Sequence, residues 1–249
     1  LIKTSKKSKA RLGVLHTDHG DIHTPIFMPV GTEATVKSVT PQQLKDLKAE
    51  IILANTYHLY LRPTTPKIAA AGGIHKFMSW DRPILTDSGG FQVWSLKELR
   101  KIKPEGVEFR SILDGSKHFF SPETVMKAQR EIGADIIMAF DECTPYPSTE
   151  KEAEHSLKFT LKWTKEAMDW LKANPEIHGY EQKFFGIVQG GMHKHLRKQA
   201  IERIAELEPD GFALGGLSVG EPTETMYEIA DFCTDYMPKD HARYVMGVG

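Results

Sequence analysis

Residues 136–173 read IIMAFDECTPYPSTEKEAEHSLKFTLKWTKEAMDWLKA, and this stretch decides the fold. It opens on an unbroken apolar run, Ile136 to Phe140, with none of the alternation of a half-wet strand. Strands buried on both faces, as in a parallel sheet, read this way. A polar loop with Asp141, Glu142 and Cys143 follows. Thr149 with Glu152 then fits a capping box. Beyond it Ala153, Leu157, Leu161, Thr164, Met168 and Leu171 recur in steps of three and four, and Trp163 and Trp170 widen the stripe. That is a long helix with one buried side. Strand, functional loop and helix together make one β/α unit.

The unit repeats. Apolar runs of the same kind are Ile26 to Val30, Ile51 to Ala54, Ile84 to Thr86, Phe184 to Val188, Phe212 to Leu214 and Tyr244 to Met246. Helices are expected after Thr40-Pro41, after Ser121-Pro122 with Gly133 at the C-terminal end, over Leu196 to Leu207, and over Glu221 to Tyr236. One segment departs from the rhythm. Val107 to Leu113 and Lys117 to Phe120 flank Asp114-Gly115 and predict an inserted β-hairpin near 107–120. An α/β fold with a parallel sheet follows. Seven strand-type runs lie outside the hairpin, whereas a closed (β/α)₈ barrel needs eight. Either the sheet is open or a last β/α unit lies outside the chain. The 249 residues are expected to form a single domain, 1–249.

Composition narrows the function classes. With 32 Lys+Arg against 33 Asp+Glu and a net charge of −1, the chain is no histone-like polycation. Its 40% hydrophobic content excludes a disordered chain. The apolar runs are far shorter than the roughly 20 residues of a membrane span. Two cysteines, Cys143 and Cys233, make neither a disulfide scaffold nor a CxxC zinc site. The N-terminus carries no apolar targeting segment, so a cytoplasmic setting is expected.

The chemistry gathers at strand ends, where a (β/α)₈ barrel builds its active site. The predicted ends carry Asn55, Asp87-Ser88-Gly89-Gly90, Asp141-Glu142-Cys143, Gln189-Gly190-Gly191, Gly215-Gly216 and Gly247. Carboxylates can act as acids, bases or nucleophiles, and glycines let a flat ligand approach the backbone. Singly, each has a plainer reading as a turn former. Jointly, they converge on one mouth, and packing does not explain them. His16, His19 and His23 have metal-like spacing within what reads as a turn. The basic stretch Lys3 to Arg11 has the charge to touch nucleic-acid phosphates but reads more simply as a solvated tail.

At this point the residues resemble a family, the tRNA-guanine transglycosylases (queuine tRNA-ribosyltransferases). The matching segments are TPIFMPVGT (Thr24 to Thr32), ILANTYHLYLRP (Ile52 to Pro63), LTDSGGFQV (Leu85 to Val93), DGSKHFFSPE (Asp114 to Glu123), FDECTPYP (Phe140 to Pro147), GIVQGG (Gly186 to Gly191), ALGGLSVGE (Ala213 to Glu221) and RYVMGVG (Arg243 to Gly249). They run in family order along nearly the whole chain.

The resemblance implies a (β/α)₈ barrel with a zinc-binding insertion near its C-terminus. It implies exchange of the wobble guanine of tRNA anticodons for a 7-deazaguanine, through a covalent enzyme–tRNA intermediate. Asp87 looks like the general acid/base. Asp141, Gln189 and the backbone at Gly216 look like the groups that read the guanine edge. Phe91 and Met246 look like the two faces around the base, with Leu217 and Glu221 at its 7-substituent and Asn55, Ser88 and Cys143 lining the mouth. Cys143 in DECTPYP and Val219 in LSVGE resemble the bacterial type, which uses 7-aminomethyl-7-deazaguanine (preQ1) in queuosine biosynthesis; Ser218 departs from the Ala common there. By the same resemblance the covalent nucleophile is an aspartate beyond Gly249, and the zinc ligands, three cysteines and a histidine, come later still. A homodimer acting on the tRNA anticodon loop is implied, and the 249 residues alone are expected to be inactive. A non-catalytic partner subunit is the alternative, and a metal-dependent barrel hydrolase using the three histidines a third reading.

Overall fold

The structure is a computed structural model that describes residues 1–96 and 100–248. Three strands start the chain: β1 (Lys3–Thr4), β2 (Arg11–Thr17) and β3 (Gly20–Thr24), paired antiparallel in that order. The barrel strands are β4 (Ile52–Ala54), β5 (Ile84–Thr86), β9 (Ile136–Met138), β10 (Lys183–Val188), β11 (Gly211–Leu214) and β12 (Ala242–Val245). They form one parallel sheet in the order β12-β11-β10-β9-β5-β4. Between β5 and β9 a three-stranded antiparallel sheet is inserted: β6 (Arg100–Lys103), β7 (Gly106–Arg110) and β8 (Lys117–Phe120). The predicted hairpin is therefore two arms of a larger insertion. Its first strand, Arg-Lys-Ile-Lys, carries no apolar run to reveal it.

Helices fill the connections. They are α1 (Pro41–Asp46), α2 (Thr56–Leu61), α3 (Thr65–Ala70), α4 (Ile74–Met78), α5 (Gly90–Ser95), α6 (Pro122–Ile132), α7 (Glu150–Ala173), α8 (Lys194–Ala205) and α9 (Thr223–Tyr236). The caps behave as their chemistry dictates. Thr40 and Thr149 make full capping boxes with Gln43 and Glu152, Ser121 caps α6, and Gly133 ends it in the left-handed region at φ +76°. The last helix starts at Thr223, not Glu221, because Pro222 occupies its N-cap.

Six of the seven predicted runs are barrel strands. The seventh, Ile26 to Val30, lies beside β4 but makes a single parallel bridge, Val30 to Leu53. Pro25 and Pro29 have no N–H to give a ladder, and Phe27 is 65% exposed.

The strands are continuous in apolarity because both faces are covered. Ile136 and Met138 point inward with Leu53, Leu85, Phe185, Ile187 and Ala213, and the β2–β3 hairpin adds Ile22 to that interior. Ile137, Phe184 and Phe140 face outward onto Trp163 and Ala167 of α7, where the Phe140 and Trp163 rings stack at 4.9 Å. Val188, Phe212 and Leu214 pack on α8 and α9 through Leu196, Ile201 and Ile229. None of the helices of the described residues is long and apolar enough to cross a membrane.

The basic N-terminal stretch is exposed, as expected of a solvated segment, but it is anchored. Lys9 Nζ meets Asp231 and Asp235 on α9, each at 2.8 Å. Arg11 donates to the carbonyls of Lys239 and His241.

The three N-terminal histidines do not converge on an ion. His16 pairs with Asp21 and His23 with Glu50. His19 instead reaches Asp135, at the N-terminal end of β9, through Nδ1 at 2.7 Å. His75 Nε2 lies 3.1 Å from the other Asp135 oxygen, which also accepts from Ile84 N–H at 2.8 Å. The two imidazoles stack at 3.6 Å, 14° from parallel. In-plane lone pairs of rings so stacked run side by side and do not meet at a metal 2.0–2.1 Å from each, the usual distance for zinc. The cluster ties the hairpin, α4, β5 and β9 at the floor of the barrel.

Burial pushes the Asp135 carboxyl up, but His75, His19 and the Ile84 N–H outweigh it and hold it below its ordinary value. Its stabilisation is therefore present above the unfolded-state carboxylate pKa and is lost as pH falls through the depressed folded value. Asp135→Ala in the full-length protein is expected to lower stability at pH 7 by about 3 kcal/mol. The deficit should shrink in acid. Urea unfolding at both pH values measures it, and an unchanged midpoint at pH 7 counts against the argument.

Candidate active site

The opposite end of the barrel holds a cavity of about 290 Å³. That is close to the lower end of the ligand-pocket range, roughly 300–1,000 Å³. Its wall is drawn from the C-terminal ends of all six strands. Asn55 follows β4, Asp87 and Ser88 follow β5, Asp141 and Cys143 follow β9, Gln189 follows β10, Gly215, Gly216 and Leu217 follow β11, and Met246 and Gly247 follow β12. Phe91 enters from the first turn of α5 and is half-exposed, its ring stacked on Trp94 at 5.3 Å.

Asp87 is buried and held by four donors. Oδ1 accepts from the backbone N–H of Thr56 at 2.9 Å and of Gly89 at 3.1 Å. Oδ2 accepts from Asn55 Nδ2 and from Gln92 Nε2 at 3.0 Å. The Thr56 hydroxyl returns a bond to the Asp87 carbonyl at 2.6 Å. Burial raises the carboxyl pKa, against the pull of these donors. No cation neutralises Asp87 among the described residues; dipoles alone support it.

Asp141 sits across the mouth. Oδ1 accepts from Ser88 Oγ at 2.8 Å and Oδ2 from Gln189 Nε2 at 2.7 Å. Burial again raises the pKa, and the charge of Asp87 adds to it. Each carboxylate oxygen has a second lone pair, so Asp141 can accept further bonds from a ligand. Gln189 Oε1 is buried with no partner among the described residues.

Two glycines are required by close approach. A Cβ on Gly90 would stand 2.6 Å from the Asp141 carbonyl oxygen, and one on Gly216, at φ +62°, would stand 2.4 Å from Gln189 Oε1. The mouth is thus packed around its own polar atoms.

Ten of the eleven expected site residues line this cavity: Asn55, Asp87, Ser88, Phe91, Asp141, Cys143, Gln189, Gly216, Leu217 and Met246. Glu221 does not. Its carboxylate turns back to accept the backbone N–H groups of Ser218 and Val219, the latter at 2.9 Å, and so fixes the loop from behind. Cys143 is wall; burial and the Asp141 charge push its thiol up to about 12, far from a thiolate. Gln92, Thr56 and Tyr244 join the site without a local signal of their own in the sequence. Burial and the facing charge of Asp87 both raise the Tyr244 hydroxyl. Gln92 and Thr56 each lie one helical step from a residue that was singled out, and Thr56 opens α2 where N–H groups are free.

The zinc set implied by the resemblance does not fit the residues present. Of the two cysteines, Cys143 belongs to the cavity and Cys233 to the buried α8–α9 contact, with the thiol raised by burial in each.

The family model described as queuine tRNA-ribosyltransferase matches residues 5–249. A queuine tRNA-ribosyltransferase of Caldanaerobacter subterraneus is 58% identical over all 249 residues, one of Thermoanaerobacter sp. 55%, and one of Staphylococcus aureus 54% over 248. The chain spans about 65% of the length of these curated relatives. With the fold and the strand-end cavity they agree on one assignment: the chain belongs to the queuine tRNA-ribosyltransferase family.

Proposed function

We propose that the whole protein is a tRNA-guanine transglycosylase of the bacterial type. It exchanges the wobble guanine of tRNA anticodons for preQ1, a 7-deazaguanine, in queuosine biosynthesis. The observation that carries this is the pairing of two buried carboxylates with an amide at the mouth of a base-sized cavity.

Guanine offers donors at N1 and N2 and an acceptor at O6. On this reading Asp141 accepts from N1 and N2, while Gln189 Nε2 and the Gly216 N–H donate to O6. Phe91 and Met246 flank the flat ring, with Leu217 at its 7-substituent. A base without these groups would leave buried polar atoms unpaired and be rejected. The target nucleotide must be unstacked from its loop to enter.

The chemistry follows that of retaining glycoside transfer. The N9–C1′ bond breaks as a carboxylate bonds C1′, and the incoming base then displaces that carboxylate. Asp87 is the acid/base. It gives a proton to the departing base and takes the N9 proton of the incoming one, a cycle suited to a carboxyl whose pKa burial has raised. Asn55 and Gln92 hold Asp87 in place. The nucleophile is expected beyond Gly249, a residue outside those described, so the glycosyl-transfer step that forms the covalent intermediate needs the longer protein. The working form is a cytoplasmic homodimer, one subunit orienting the tRNA while the other reacts.

Incorporation of radiolabelled guanine into unmodified tRNA tests the reading. The full-length protein is expected to exchange and the 249-residue chain not to. Asp87→Asn in the full-length protein should lose exchange by about 10²–10⁴-fold while still binding free guanine. Retained exchange in that variant would overturn the role given to Asp87.

A second outcome concerns pH. The ionised form of Asp141 is the acceptor, and burial has moved its pKa upward. Guanine affinity should therefore fall as pH drops through a value above the ordinary carboxylate range. Asp141→Asn should bind weakly and with a flat profile. Calorimetric titration with guanine across pH measures both, and a flat wild-type profile would count against the assignment.

A further inference from the structure

Arg197 is the fourth residue of α8 and is fully buried. It has no carboxylate partner among the described residues. A buried charge without a counter-ion is costly, and a cation in the first turn of a helix also opposes the helix dipole. The guanidinium is instead satisfied by backbone carbonyls. Nε donates to Gly191 at 2.8 Å. Nη1 donates to Val188 and to Gly215, each at 2.7 Å, and Nη2 to Gly216 at 3.3 Å. All four belong to the ends of β10 and β11 or the loops beyond them, directly behind the cavity wall formed by Gln189, Gly215 and Gly216.

The peptide plane turns this into function. In a trans peptide the C=O and the following N–H point in opposite directions. Arg197 draws the Gly215 carbonyl toward itself, so the Gly216 N–H points away from Arg197. Drawing the Gly216 carbonyl does the same for the Leu217 N–H. Neither N–H finds a partner among the described residues. The carbonyl bonded to a cation is polarised, and its peptide N–H becomes the stronger donor.

We propose that Arg197 is a positioning residue that aims the Gly216 and Leu217 N–H groups at an acceptor oxygen of the bound base, the guanine O6 on the proposed function. The inference rests on that reading of the cavity. It adds a specificity determinant that touches no ligand: a cation reading the base through two peptide planes. Lysine cannot substitute fully, because an ammonium cannot span four carbonyls in the plane of a guanidinium fork.

The test is a cycle of two ligands and two proteins, run on the full-length enzyme. Guanine carries O6; 2-aminopurine lacks it and also the N1–H from which Asp141 would accept. It therefore binds more weakly to both proteins, and the comparison is each ligand's change from one protein to the other. Arg197→Lys should weaken guanine binding about tenfold, the scale of one hydrogen bond, and leave 2-aminopurine binding within about twofold. Arg197→Met should show the same split more strongly. Equal losses for both ligands would mean a merely structural role and overturn the inference, as would no loss for either. Should both variants fail to fold, amide hydrogen exchange in the wild type decides: guanine should slow exchange at Gly216 and Leu217 and 2-aminopurine should not, and equal effects overturn the inference. Failure of the parent reading looks different, because wild-type enzyme would then bind no guanine at all.

Discussion

Two carboxylates buried at one end of a parallel sheet, with only dipoles to hold them, constrain the rest of the molecule. Asp87 draws on two backbone N–H groups and two amide side chains. Asp141 draws on a hydroxyl and an amide. Each donor must arrive at a fixed point, and fixed points in a barrel are strand ends. The short helix α2 begins immediately after Asn55, where the Thr56 N–H is free for Asp87. Gly89 and Gly90 have no side chain because the chain passes too near Tyr57 and Asp141 for one. Local sequence at the mouth is therefore set by the charges it surrounds. Burial keeps both carboxyl pKa values raised in spite of these donors.

The two ends of the barrel treat charge in opposite ways. At the floor, Asp135 is paired with histidines and a backbone N–H, and its pKa is depressed. At the mouth, Asp87, Asp141 and Arg197 are all buried and no two of them pair among the described residues. A chain selected only for stability would neutralise that surplus or replace it with apolar side chains. Stability invested in the floor offsets what the mouth costs, the usual division in this architecture.

Much of this was legible in the residues. Unbroken apolar runs such as Ile136 to Phe140 announced strands covered on both faces, and Thr149 with Glu152 announced the long helix after them. Asp87, Asp141 and Gln189 could be picked out because nothing in packing asks for them at strand ends. The rest was hidden for specific reasons. Ile26 to Val30 has the composition of a strand, yet its prolines leave one bridge in place of a ladder. Asp135 gathers His19 and His75 from 116 and 60 positions away in sequence, a distance no local pattern spans. Glu221 sits beside the cavity-lining loop in sequence, but its carboxylate is consumed by two backbone N–H groups and faces away from the cavity. Arg197 lies in an ordinary amphipathic helix, and only the carbonyls it meets distinguish it from a surface arginine.

That last case bears on how such a site attains specificity. Side chains that touch a base can be guessed from their chemistry, but on the proposed reading the O6 of guanine is matched in part by peptide groups. A peptide N–H carries no identity in the sequence; its direction is set by whatever holds the carbonyl before it. Glycines at 215 and 216 let the chain turn, at φ +62° for Gly216, but freedom to turn also means freedom to turn wrongly. A flexible Gly-Gly peptide will present a donor reliably only if something rigid holds its other face. A planar guanidinium, buried, always charged and bonded to carbonyls on both neighbouring strand ends, meets that requirement more fully than a neutral side chain could. The glycines and the arginine are thus one device, with the permissive backbone made specific by the charge behind it.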